Sequence, residues 1–141
     1  MKLRSLVLLC LTFSFQAYSQ VEKAIEVGQW VRIGACPKSA STFTFIDEYA
    51  RVQPLDTSHI DRYTGEGLLD AFFKEKNIDA HRMPCLHANR KYQIAALHVF
   101  EDEEKGFKIE KRVMLLYSGY PLTLFWVQLD EAIEAGEVIV D

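Results

Sequence analysis

Alternation of apolar and polar positions is densest between Lys91 and Leu129, where it divides into three segments. The first, Lys91 to Phe100, is apolar at both parities: Tyr92, Ile94, Ala96 and Phe100 on one, Ala95, Leu97 and Val99 on the other. That suits a strand covered on both faces. The charged connection Glu101 to Gly106 follows, ending in a residue that enters positive φ without steric cost. The second segment places Phe107, Ile109, Val113, Leu115 and Tyr117 on one parity, with Lys108, Glu110 and Arg112 on the other. This is the period-2 pattern of a sheet with one wet face. Lys111 interrupts the apolar parity and predicts a bulge or an exposed strand end. After the turn Ser118 to Pro121, Leu122 to Leu129 supplies a third strand. Consecutive strands with short connections pair as antiparallel neighbours, so the three predict a meander with a face that needs cover.

The cover is expected from Gly67 to Asn77. Leu68, Leu69, Phe72 and Phe73 recur at helical spacing, with Asp70, Lys74, Glu75 and Lys76 opposite them. Thr44 to Ala50 reads as a shorter helix, with Ile46, Tyr49 and Ala50 as its buried stripe and Pro54 beyond its end; a strand through Thr42 to Phe45 competes with it. Trp30 to Ala35 reads as a strand and Gln53 to Tyr63 as a polar surface loop. A helical turn from Asp130 to Ala135 and a last short strand at Glu137 to Val140 end the chain. The expected fold class is α+β: an antiparallel β-meander sheet covered by one main amphipathic helix, with short helices besides.

The N-terminus changes the domain picture. Met1 to Arg4 is basic, Ser5 to Phe15 is an apolar core of secretory length, and Ala17 and Ser19 are small at the positions a signal peptidase reads. Residues 1–19 are therefore expected to be a signal peptide cleaved between Ser19 and Gln20, leaving residues 20–141 as a single domain. The leader is too short to span a bilayer. Removing Lys2 and Arg4 takes the formal charge from −4 to about −6. An acidic domain without a basic stripe is a poor partner for nucleic acid, and no later segment is long enough to cross a membrane. Cys36 and Cys85 remain, and an even pair in an exported chain predicts a disulfide. The expected location is secreted or periplasmic, and the brevity of the leader points to a bacterial source.

Candidate chemistry is sparse. His81, Cys85 and His87 form the densest cluster of metal-preferring side chains, but their spacing fits no standard zinc pattern, and a disulfide at Cys85 would remove the thiolate. The same disulfide argues against a cysteine nucleophile. His98, among apolar neighbours, reads as a packed residue with a satisfied ring nitrogen. Thr64 to Gly67 lacks the spacing of a phosphate-binding loop, and no hydrolase or metalloprotease motif occurs. No catalytic residue and no cofactor are expected. The leading expectation is an exported, non-enzymatic small domain that binds a protein partner or small ligand, or serves structurally. The alternatives are a metal protein or enzyme built on His81, Cys85 and His87, and an inhibitor or immunity-type protein.

Overall fold

The computed structural model describes residues 24–120 and 122–141; the expected leader and the Ser19–Gln20 cleavage pair lie outside the described residues. Seven strands form one antiparallel sheet: β1 (Trp30–Ile33), β2 (Thr42–Arg51), β3 (Ile78–Pro84), β4 (Lys91–Glu104), β5 (Phe107–Tyr117), β6 (Thr123–Gln128) and β7 (Val138–Ile139). Their order is β3-β2-β6-β5-β4-β1-β7. Two six-residue α-helices, α1 (Leu68–Phe73) and α2 (Leu129–Glu134), and a 3₁₀ turn at Cys85–His87 complete the described chain.

This corrects the expected α+β layout. The protein is mostly antiparallel β, 46% strand against 13% helix, and no main amphipathic helix covers the sheet. The helix expected over Gly67 to Asn77 stops at Phe73, because Arg51 ends it from outside. Its Nη1 donates to the carbonyls of Ala71 (2.7 Å) and Phe72 (2.6 Å), and Glu75 lies 3.3 Å from its Nε. A buried cation on the last carbonyls satisfies acceptors that another helical turn would have taken. The short helix expected from Thr44 is instead the middle of β2. Pairing with β3 on one side and β6 on the other satisfies its backbone more fully than one isolated helical turn.

The three segments from Lys91 to Leu129 pair consecutively as β4, β5 and β6. The charged stretch after Phe100 is strand as far as Glu104, and Lys105 and Gly106, both at positive φ, make a two-residue hairpin turn. The register runs unbroken through Lys111, which is an exposed strand position paired with Asp102. The bulge lies instead between Ile94 and Ala96. It reverses the parity of β4: Tyr92, Ile94 and Leu97 face one core, whereas Ala95 and Ala96 face the other. The loop leading to α1 rests on this bulge at Gly65. A Cβ there would come within 2.3 Å of the Ala95 carbonyl oxygen, and φ is +73°, so only glycine fits.

The sheet is rolled. β2 and β7 are five places apart in strand order, a separation of about 24 Å in a flat sheet. Yet the carboxylate of Glu137, one residue before β7, accepts the backbone N–H groups of Thr44 (2.7 Å) and Phe45 (2.8 Å) in β2. Those amides lie where β2 has no β6 partner and where its register with β3 breaks. Cys36 and Cys85, which follow β1 and β3, make a second closure: they form a disulfide with Cα atoms 5.5 Å apart. The inner face encloses the larger core, including Ile33, Phe43, Ile46, Met114, Phe125 and Val127, sealed by Leu129 and Ala132 of α2. The outer face carries a smaller core in which Leu68 and Phe72 of α1 meet Val113, Leu115 and Leu124. Among the described residues no helix is long and apolar enough to cross a membrane.

Glu137 is 2% exposed, so its loss leaves two amides without acceptors. Glu137→Ala is expected to destabilise the protein by about 3 kcal/mol, and Glu137→Gln by less because one acceptor remains. Urea midpoints check this, and an unchanged midpoint in Glu137→Ala would remove the carboxylate from the closure.

Candidate functional site

Two constellations stand out, one at the edge of the inner core and one on the outer face. The first contains two of the three histidine and cysteine candidates. β2 and β3 pair Glu48 directly with His81, and the 3₁₀ turn that follows β3 returns His87 towards the same carboxylate. Glu48 lies 3.7 Å from His81 Nε2 and 3.5 Å from His87 Nε2, one oxygen to each. On its other side His87 Nδ1 shares a 2.5 Å hydrogen bond with the Tyr92 hydroxyl, and its ring packs edge-on to Phe125. Cys85 does not join them, because its sulfur is committed to Cys36. Among the described residues no three histidine, cysteine, aspartate or glutamate side chains are placed to hold a metal ion.

His87 and Tyr92 are only 7% and 8% exposed. Burial lowers the His87 pKa below its ordinary 6.5, with Glu48 opposing and Arg90 adding to the effect. Burial likewise raises that of Tyr92. The arrangement is a satisfied polar chain crossing the end of a hydrophobic core, with its proton-carrying groups shielded from solvent. His98 lies elsewhere, near Phe100 on the outer face, and its Nε2 is buried without a hydrogen bond, unlike the satisfied ring expected from its sequence setting.

The second constellation is a cleft of about 740 Å³ on the outer face, beyond the patch that α1 covers. Cross-strand register builds its floor: Trp30 of β1 opposes Gln93 of β4, which opposes Tyr117 of β5. Directly opposed residues project to the same face, so the three side chains form one row across three strands. Gln93 Nε2 donates to the carbonyl of Gly28 (3.0 Å), which fixes the amide plane. Trp30 is 60% exposed and Tyr117 40%, and neither makes a ring contact or side-chain hydrogen bond among the described residues. Arg62 and Lys91 also line the cleft, and no carboxylate does. Neither cation has an ion-pair partner among the described residues. The cleft thus combines two exposed aromatic rings, one oriented amide and two cations on a chain of net charge −4.

Asp47 and Glu48 read from sequence as solvated carboxylates, and the role of Glu48 between the two histidines emerges only from the pairing of β2 with β3. Sequence reading missed the cleft, because Trp30, Gln93 and Tyr117 come from three strands whose register is set by the rolled sheet. Gln93 and Tyr117 were noted only as strand positions; the polar amide flanked by apolar residues was the available signal. The acidic run Glu101 to Glu104 lies on the projecting β4–β5 hairpin, where Asp102 pairs with Lys111 at 3.0 Å and Glu103 opposes Lys108. Its charge is offset only in part, because Glu101 opposes Glu110. Comparison of the chain with protein-family models, curated proteins and solved structures finds no match.

A histidine with a depressed folded pKa binds fewer protons than it does in the unfolded chain. Its contribution to stability is therefore full above about pH 6.5 and is lost as pH falls through the folded value. His87→Gln removes that titration. Between about pH 7 and about pH 5 the variant's urea midpoint is expected to fall less than that of the parent; equal falls would show that His87 does not carry the acid sensitivity.

Proposed function

We propose that this protein is an exported, non-enzymatic binding domain that takes a small anionic ligand in the outer-face cleft. One observation carries the reading: Trp30 and Tyr117 flank Gln93 in an uncovered row, and the cations Arg62 and Lys91 line the same cleft with no ion-pair partner among the described residues. In a folded domain, exposed tryptophan and tyrosine rings with free N–H and O–H donors are a recognition surface, since each offers apolar area and a polar tip. The Cys36–Cys85 disulfide supports an oxidising compartment. An enzymatic reading centred on Tyr92, His87 and Glu48 has less support, because the two groups that would exchange protons with a substrate are buried and already bonded to each other.

The test is chemical-shift mapping with citrate, benzoate and a phosphate monoester. Saturable shifts are expected at the Trp30 indole N–H, the Gln93 side-chain amide and the Tyr117 ring. Both cations are exposed, so replacing Arg62 and Lys91 with alanine should leave the fold intact and weaken binding about tenfold, equivalent to about 1.4 kcal/mol. Absence of saturable shifts, or shifts confined to His81 and Glu48, would overturn the reading.

A further inference from the structure

We propose that the ligand of this cleft is a linear acidic oligosaccharide, a chain of sugar rings bearing carboxylates; this rests on the binding reading above. Trp30 and Tyr117 are two strand spacings apart, about 10 Å, with the Gln93 amide between them. A single six-membered ring cannot cover both side chains at that distance, so an occupant that uses both presents at least two ring units, each with an apolar face.

Sugar rings do so through their C–H faces, while their hydroxyls require the mixed donors and acceptors found between the aromatics. Gln93, with one N–H held by the Gly28 carbonyl, keeps its other N–H and its carbonyl oxygen for hydroxyl groups. Thr57 also lines the cleft. Thr57 and Tyr117 also line a neighbouring, mostly apolar depression of about 270 Å³, to which Leu55, Leu68, Phe72 and Tyr120 contribute. Tyr120 is 69% exposed. Trp30 and Tyr117 in the cleft, with Tyr120 in the adjoining depression, offer ring faces for successive units of a chain, and Arg62 and Lys91 would favour carboxylates on it.

Single-stranded nucleic acid shares the stacking chemistry, but it calls for a cationic groove that tracks the backbone phosphates. This groove has two cations rather than a phosphate track, and its Gln93 amide and Thr57 hydroxyl suit ring hydroxyls, which oligothymidylate lacks, so the oligosaccharide is favoured.

The test is a fluorescence titration, reading Trp30, with tetragalacturonate, monomeric galacturonate, a neutral tetrasaccharide, oligothymidylate and citrate. Tetragalacturonate is expected to bind saturably, at least tenfold more tightly than the monomer and the neutral chain. Trp30→Ala and Tyr117→Ala should each weaken it by about tenfold, read by calorimetry, with unchanged urea midpoints because both residues are exposed. Equal binding of monomer and tetramer, equal binding of the neutral chain, or preference for oligothymidylate would overturn the proposal. Citrate binding without tetragalacturonate binding would sink the oligosaccharide and leave the anion-binding reading standing. No binding by any probe would remove both.

Discussion

Two backbone amides in β2 depend on a carboxylate just before the last strand, and the shape of the whole sheet follows from that requirement. Glu137 can accept from Thr44 and Phe45 only if strands five places apart are brought together. The disulfide between Cys36 and Cys85 imposes the same condition with a covalent bond. It closes a loop of 49 residues and contributes about 4 kcal/mol in the chain-entropy model. The seam is tight: a Cβ on Gly34 would fall within 1.9 Å of the Gly136 carbonyl oxygen, so the backbones meet with no room for a side chain. Rolling also resolves the liability of a seven-stranded sheet in a chain of this size. One face becomes an interior that excludes water without needing a helix layer, and only the outer face has to be covered from elsewhere.

That division decides where binding chemistry is exposed. On the outer face, α1 and the loop before it cover the middle of the sheet, anchored by Arg51 at the helix end and by Gly65 on the β4 bulge. Beside them Tyr49, Phe73 and Trp126 pack edge to face, and Phe100 stacks on Trp126. The cover stops short of β1. Trp30, Gln93 and Tyr117 therefore stay open, although Trp126 and Tyr49 on the same face are packed. The inner face, by contrast, shields its polar chain of Tyr92, His87 and Glu48, so the buried histidine there bears on acid stability rather than on ligand capture.

Much of the strand pattern was legible along the chain, and its failures have physical causes. β5 and β6 were readable because their alternation reflects two different environments on the two faces. The bulge in β4 was not, since Ala95 and Ala96 are both small and apolar and leave no parity signal. Ile46, Tyr49 and Ala50 fit a helical stripe, but strand pairing on both sides of β2 outweighed it. The length of α1 was overestimated because the residue that ends it, Arg51, lies on a strand some twenty residues earlier. The closeness of His81 and His87 was visible from spacing. Their convergence on Glu48 was not, because it required the register of β2 with β3. The Cys36–Cys85 pairing was legible for a simpler reason: the described domain contains no other cysteine.

The closure of the rolled sheet by Glu137 is tested most directly by amide hydrogen exchange at Thr44 and Phe45. Neither amide has a partner in β6, so a flat or open sheet would leave both to exchange as exposed loop amides do. The rolled sheet predicts protection close to that of the neighbouring β2 amides, reduced together at both positions in Glu137→Ala while the rest of β2 stays protected. Rapid exchange at Thr44 and Phe45 in the parent protein would contradict the closure, and with it the account of why the outer face alone is left open.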